Sequence, residues 1–353
     1  MTVYLVNMCL ILFWGYIFLY KFKSDTNKKI YCSIIAFQWI LISGLRHIDI
    51  GADTDSYLIK FKNIKRISWP EIFSNITDYL FRGKEVKDPG YDLFQKAVQV
   101  FSSNYRFLLI VIAIIFTSIM VIWIYKNSKL PCFSFILYST LFYSFFSVTG
   151  HRQTLATAVI VFWGYKYIKE RKLIKFLIVS FIAFLLHKSS LVVIPFYFIA
   201  NIPITLPYVI IALIVVAVVA ISGKNLYGVV GGFLGFSEEQ IEYDVGGAET
   251  YALILTLVSI IILLFYHYYK NNTDKARHIF NITLLTLMTS LLVFQNQSFM
   301  RIQQYYSLFL MISFPEVILS FNKKERALAY GFTITVLIVY LMYNNPQYYF
   351  FWQ

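Results

Sequence analysis

The stretch from Gly44 to Tyr57 reads GLRHIDIGADTDSY, and it sets one arginine, one histidine and three aspartates where two strongly apolar runs meet. Three kinds of chemistry suit such residues. Asp53 and Asp55 can ligate a divalent metal, Asp53 can cap a helix or take a proton from a hydroxyl, and Arg46 can hold an anion. Similar polar islands recur as VTGHRQTLA around Arg152, as FLLHKSS around His187 and as QNQSFMRIQQ around Arg301. A guanidinium beside the first turn of a helix is a ready phosphate site, because unpaired backbone donors and the positive dipole end reinforce it. Thr149 or Gly150 and, in the last island, Ser298 are the expected caps.

The elements that must position these groups follow from composition. Fifty-nine per cent of the residues are apolar, 14% are charged and the mean hydropathy is +0.65. That lies beyond a soluble domain and predicts an all-α polytopic integral membrane protein, one transmembrane domain over residues 1–353. The net charge of +13 resides mostly in short connections between apolar runs, where it sets topology and does not mark a nucleic-acid partner. Cys9, Cys32 and Cys132 lie in or beside apolar runs, so neither a disulfide framework nor a zinc site is indicated. The first apolar run lacks a preceding basic region and a following cleavage site, and is read as a retained helix.

A hydrocarbon core of about 30 Å needs about 17 to 25 apolar residues per helix. About twelve transmembrane helices are expected on that measure, at about 2–20, 30–45, 107–125, 131–147, 154–168, 174–187, 189–201, 207–222, 250–269, 279–294, 302–320 and 328–343. Connections such as KFKSDTNKK are then inside, and the short outer ones hold only Arg152, Lys188, Lys224 and Arg301, with both termini outside. A single helix across Leu173 to Ala200 would invert this bias downstream, so the chain is read as two short, re-entrant segments broken at HKSS. Two larger loops face outward, 46–106 with an amphipathic helix around PEIFSNITDYLF, and 223–250.

On this topology Arg46, His47, Asp49, Asp53, Asp55, His151, Arg152, Gln153, His187, Lys188, Gln295, Gln297 and Arg301 share one leaflet. Ionisable groups so placed are functional by default, against the alternative of ion pairs or snorkelling arginines. Their gathering at one face weighs against a transporter, which should line the midplane with paired broken helices.

GLRHIDIGADTDSY, KDPGYDLFQKAV, TGHRQTLATAVIVFWGYKYIKERK and AFLLHKSSLVVIPFY, in that order, resemble the EpsG-like family of bacterial Wzy-type polysaccharide polymerases. The resemblance covers most of the first 200 residues and then fades to the Arg301 region. It implies an enzyme of the plasma membrane's outer face that joins oligosaccharide repeat units carried on polyprenyl pyrophosphate. The family's characteristic positions fall on Arg46, Gly51, Asp53, Thr54, Tyr57, Pro89, Gly90, Tyr91, Arg152, Gln153 and His187, with His47 and Asp55 as looser matches. A partner protein that regulates chain length is a further implication.

Such a transfer needs cations for the departing pyrophosphate and a base for the attacking hydroxyl. Arg152, Arg301 and Arg46 are the candidates for the first role, and His187 and Asp53 for the second. For Asp53, orienting Arg46 or capping a helix that begins near Asp55 is the preferred role. Gln153, Tyr57 and Tyr91 join the substrate-binding candidates, and Tyr79, Tyr227 and Tyr243 are further rings on which sugars can stack. No cofactor is expected, and metal binding by Asp53 and Asp55 is disfavoured because two carboxylates underfill a magnesium shell. The expected partners are a lipid-linked oligosaccharide and membrane lipid. The rival functions are a glycan flippase or another carrier-dependent enzyme such as an O-antigen ligase.

Overall fold

The computed structural model describes residues 1–84, 86–234, 248–269 and 273–353. In chain order its α-helices are α1 (Thr2–Gly15), α2 (Asp25–Gly44), α3 (Thr54–Ile64), α4 (Trp69–Phe81), α5 (Pro89–Gln99), α6 (Tyr105–Asn127), α7 (Pro131–Leu137), α8 (His151–Val159) and α9 (Tyr165–Lys169). They continue with α10 (Leu173–Leu186), α11 (Ile194–Ile199), α12 (Leu206–Leu234), α13 (Glu249–Leu264), α14 (Tyr266–Tyr269), α15 (Thr273–Val293), α16 (Met300–Ser307), α17 (Leu310–Ser320) and α18 (Lys323–Asn344). Local chemistry starts several of them. Ser24, Ser68, Asn104 and Asn322 each accept a hydrogen bond from a first-turn N–H of the helix they precede, satisfying donors that have no partner within the helix. The chain is thus all-α, and among the described residues four helices are long and apolar enough to cross a membrane: Thr2–Lys21, Tyr105–Asn127, Asp274–Val293 and Lys323–Asn344. Shorter apolar helices accompany them, the pattern of a multi-pass membrane protein.

Side-chain links across the connections define two ends. At one, Lys28 donates to the Tyr125 carbonyl, Lys169 to Asn127, and both Lys129 and Lys275 to the buried Glu316 carboxylate. His278 meets Asn201 at the same end, 3.1 Å away. The opposite end gathers Arg46, Val148, His151, Asp88, His187 and Arg301. The C-terminal residues return to it: Phe351 N–H donates to the Leu45 carbonyl, His47 N–H to Tyr349, and the Arg106 guanidinium lies 3.5 Å from the Phe351 ring centre.

The HKSS break is present. Helix α10 stops at Leu186, Lys188–Val193 forms a 3-10 turn, and Pro195 opens α11 where its missing N–H costs nothing. The chain reverses there, since Tyr197 near the end of α11 stacks on Phe176 near the start of α10 at 5.0 Å. One expected boundary shifts. Helix α12 runs to Leu234 where the apolar pattern predicted an end near 222, because KNLYGVVGGFL holds no proline and continues as helix.

Residues 46–106 fold into α3, α4 and α5. Tyr57, Phe61, Tyr91 and Val98 from this segment pack with Tyr105, Leu108, Leu109, Ile112 and Leu155 in an apolar cluster beside the main core. Burial of those aromatic rings, worth about 2 kcal/mol each, fixes the loop helices to α6 and α8.

Candidate active site at one end of the bundle

Asp88 is the centre of the site. Its carboxylate, 4% exposed, accepts from Arg152 Nη1 at 2.5 Å, meets His187 Nδ1 at 3.1 Å and accepts from the Lys188 backbone N–H at 3.0 Å. Two features put it there. Pro89 forms the first position of α5, and Asp88 before it takes a left-handed conformation, φ 56°. Gly90 then lets the start of α5 abut the end of α10: a Cβ at that position would stand 2.7 Å from the Leu185 carbonyl oxygen. Burial pushes the Asp88 carboxyl up, but the hydrogen bond and charge of His187, the charge of Arg152 and the Lys188 N–H outweigh it and hold the group at about 2.

Arg152 is itself constrained. Its Nε lies 3.5 Å from the Tyr57 hydroxyl and its guanidinium sits 5.6 Å from that ring's centre. The other neighbours of the Tyr57 ring are His151, stacked at 4.3 Å, and Tyr91, edge-on at 5.9 Å. Behind this stack lies Arg46, 2% exposed, whose donors go to the carbonyls of Ser43, Ile50 and Val148 and to His151 Nε2 at 2.8 Å. A guanidinium has no acceptor, so His151 accepts through Nε2 and carries its proton on Nδ1 as a neutral ring. Gly51 allows the approach: it has φ 113°, and a Cβ there would stand 3.0 Å from the Val148 carbonyl oxygen.

A cavity of about 1020 Å³ opens beside this cluster. The π-helical turns Tyr138–Phe142 and Ser144–Thr149, which continue α7, supply one wall through Thr140, Ser144 and Thr149, joined by Tyr143 between them. Such widened turns shift side chains out of the ordinary register and recur at functional sites. Asp53, Gln297, Ser298, Arg301 and Gln304 bring polar groups to it, and Tyr251, Tyr340 and Asn344 bring others from α13 and α18. Arg301 joins cavity and cluster, because its charge acts on both His187 and Lys87. Burial, together with Arg152 and Arg301, pushes the Lys87 ammonium below its ordinary value. Lys87, Arg152 and Arg301 therefore form one concentration of positive charge around Asp88.

Arg152 and His187 come together at Asp88 with the charge of Arg301 acting on His187, and Asp53 lies on the cavity that Arg301 also lines. Several other expectations change. Arg46 does not reach toward a substrate: its fork is spent on backbone carbonyls and on His151, which makes it a structural tie between α2 and the start of α8. Asp53 does not orient Arg46. It stands at the N-cap of α3 without a side-chain capping bond, exposed toward the cavity. Tyr57 and Tyr91 are buried, with Tyr57 bracing Arg152 and Tyr91 packed on Tyr57 and Phe94, so neither presents a free face to a sugar. Tyr79 stacks on Phe184. Gln153 donates to the Arg301 carbonyl and so joins α8 to α16. Gly150, not Thr149, is the residue before α8, and Asn296, not Ser298, caps the turn before α16. Tyr227 and Tyr243 lie outside the residues whose side chains are described.

Asp88 itself escaped the sequence reading, although it stands inside KDPGYDLFQ. An acid directly before a proline that opens an amphipathic helix was the available signal. Lys87 and Gln304 had no comparable mark.

A family model described as the EpsG family matches residues 29–352. No curated protein and no solved structure matches.

Proposed function

Given that the chain belongs to the EpsG family, whose members are membrane proteins linked to polysaccharide biosynthesis, we propose that it is a polysaccharide polymerase. It joins oligosaccharide repeat units carried on polyprenyl pyrophosphate, by glycosyl transfer on the outer face of a bacterial plasma membrane. In this reading the chain crosses the membrane about twelve times, the two short helices of the HKSS hairpin included, and the end that carries Asp88 and the cavity faces outward.

The observation that carries the reading is the junction at Arg301, where a cavity that sets hydroxyl and amide groups among apolar and aromatic surface meets the Lys87–Arg152–Arg301 concentration of charge. The first suits a sugar chain and the second a pyrophosphate. As the bond from the anomeric carbon to phosphate breaks, the electron pair goes to the pyrophosphate oxygen, and fixed cations stabilise that charge. The acceptor hydroxyl gives up its proton as its oxygen bonds to the same carbon. His187 and Asp53 are the candidates for the base that takes it.

The test is a purified, reconstituted protein given a defined polyprenyl-pyrophosphate-linked repeat unit, with and without excess EDTA. A ladder of products in both conditions is the expected result. Unreacted substrate in both, from protein shown to be folded, overturns the assignment.

A further inference from the structure

Asp88 is the most highly engaged acid at this end of the molecule, and nothing in the function as stated so far uses it. We propose that Asp88 is a positioning residue for the transfer: its carboxylate holds His187 in the tautomer protonated at Nδ1, which leaves Nε2 as the base, and it holds Arg152 in place beside that base. This rests on the polymerase reading and deepens it, by choosing His187 over Asp53 for proton removal.

The argument is geometric. Ionised, a carboxylate only accepts, so the contact between His187 Nδ1 and Asp88 Oδ2 at 3.1 Å requires the proton on Nδ1. Nε2 then carries the lone pair, and among the described residues only Nδ1 has a protein partner. The same Oδ2 accepts from Arg152 at 2.5 Å, while Oδ1 is anchored by the Lys188 N–H at 3.0 Å, so the carboxylate cannot rotate without losing one of these bonds. Asp53 has no such support: its side chain makes no capping bond, and it is exposed on the cavity.

The step balances without an added reagent. The acceptor oxygen bonds to the anomeric carbon and its proton passes to His187 Nε2. The bond from that carbon to the phosphate oxygen breaks, and the polyprenyl pyrophosphate departs with the electron pair. Asp88 takes no proton; it stabilises the imidazolium that forms, as the aspartate does in a Ser-His-Asp triad. The charged groups that face His187 are Asp88 from the turn before α5, Arg152 from α8 and Arg301 from α16. Only the first favours the imidazolium, so its removal must make His187 harder to protonate.

Two measurements on full-length protein in detergent or nanodiscs test this. In the first, Asp88→Asn and Asp88→Glu are compared with wild type in the polymerisation assay across pH. Asp88→Asn should lower kcat by about 100-fold or more and move the acidic limb of the rate to lower pH, with Asp88→Glu recovering part of the rate. An Asn variant that keeps the wild-type kcat and acidic limb overturns the proposal.

The second needs no activity and so separates this proposal from the polymerase assignment. In ¹⁵N-histidine NMR, the signal lost in His187→Gln should report a proton on Nδ1 in wild type and a mixture of tautomers in Asp88→Asn. If Asp88→Asn does not fold, the wild-type spectrum decides alone: a proton on Nε2 at neutral pH overturns the proposal. A ladder absent from wild type, with the Nδ1 proton in place, counts against the polymerase reading and not against the Asp88–His187 pair.

Discussion

Two arginines of similar sequence context have opposite fates. Arg46 and Arg152 both stand at helix ends next to a histidine, yet Arg46 is wrapped in carbonyls while Arg152 keeps one face toward the charged cluster. Arg46→Ala should therefore cost stability, because it removes a donor from the buried carbonyls of Ser43 and Val148, and a buried acceptor left unsatisfied costs about 1–3 kcal/mol. A thermal melt should show it, and the residual folded protein should retain activity. Arg152→Lys should do the reverse. It keeps the charge but loses the planar fork that spans Asp88 and the Tyr57 hydroxyl, so the melt should move little while polymerisation falls by about tenfold or more. The depressed carboxyl of Asp88 sets a third expectation. A group lowered on folding from 3.8 to about 2 contributes stability that is in place above its ordinary value and is lost as pH falls through about 2. Asp88 is thus ionised throughout the working range, and the acidic limb of the rate belongs to His187, which burial holds below the ordinary histidine value, so that limb should fall on the acid side of it.

At the scale of elements, the site depends on two places where backbone meets backbone. Gly90→Ala places a methyl against the Leu185 carbonyl and must push α5 off the end of α10, at a cost of about 1–3 kcal/mol. Since Asp88 precedes α5 and His187 follows α10, the movement opens their contact, and activity should fall further than the melt. Gly51→Ala combines a positive φ with contact to the Val148 carbonyl and should cost at least about 1–2 kcal/mol. The helices themselves were legible: apolar length, the amphipathic PEIFSNITDYLF stretch and the HKSS break all predict elements that are present. The side-chain roles were less so. Which arginine is spent inside depends on Val148 lying against Gly51, and Asp88 acquires its meaning from α10, about a hundred residues along the chain. Neither contact leaves a local mark, because it is set by packing between elements and not by periodicity within one. The π-helical turns after α7 were unreadable for a similar reason, since YSTLFYSFFSVT has the composition of any apolar helix.

For the whole molecule, the two ends differ in chemistry. Lysines tied to Glu316 and Asn127 mark one, and the cavity with Asp53 and Arg301 marks the other. The proposed orientation puts the second outside. With Cys9, Cys32 and Cys132 replaced, a cysteine at Asp53 should react with a membrane-impermeant maleimide in intact cells, whereas one at Lys275 should react only after permeabilisation. The reverse pattern would turn the site toward the cytoplasm and remove its access to an outward-facing glycan. The central claim is that this end of the bundle performs glycosyl transfer. Its most direct test is the product distribution formed from one defined polyprenyl-pyrophosphate-linked repeat unit by wild type, His187→Gln and Arg152→Ala, each shown by its melt to be folded. A ladder from wild type and none from either variant is the predicted result; equal ladders from all three would contradict the account.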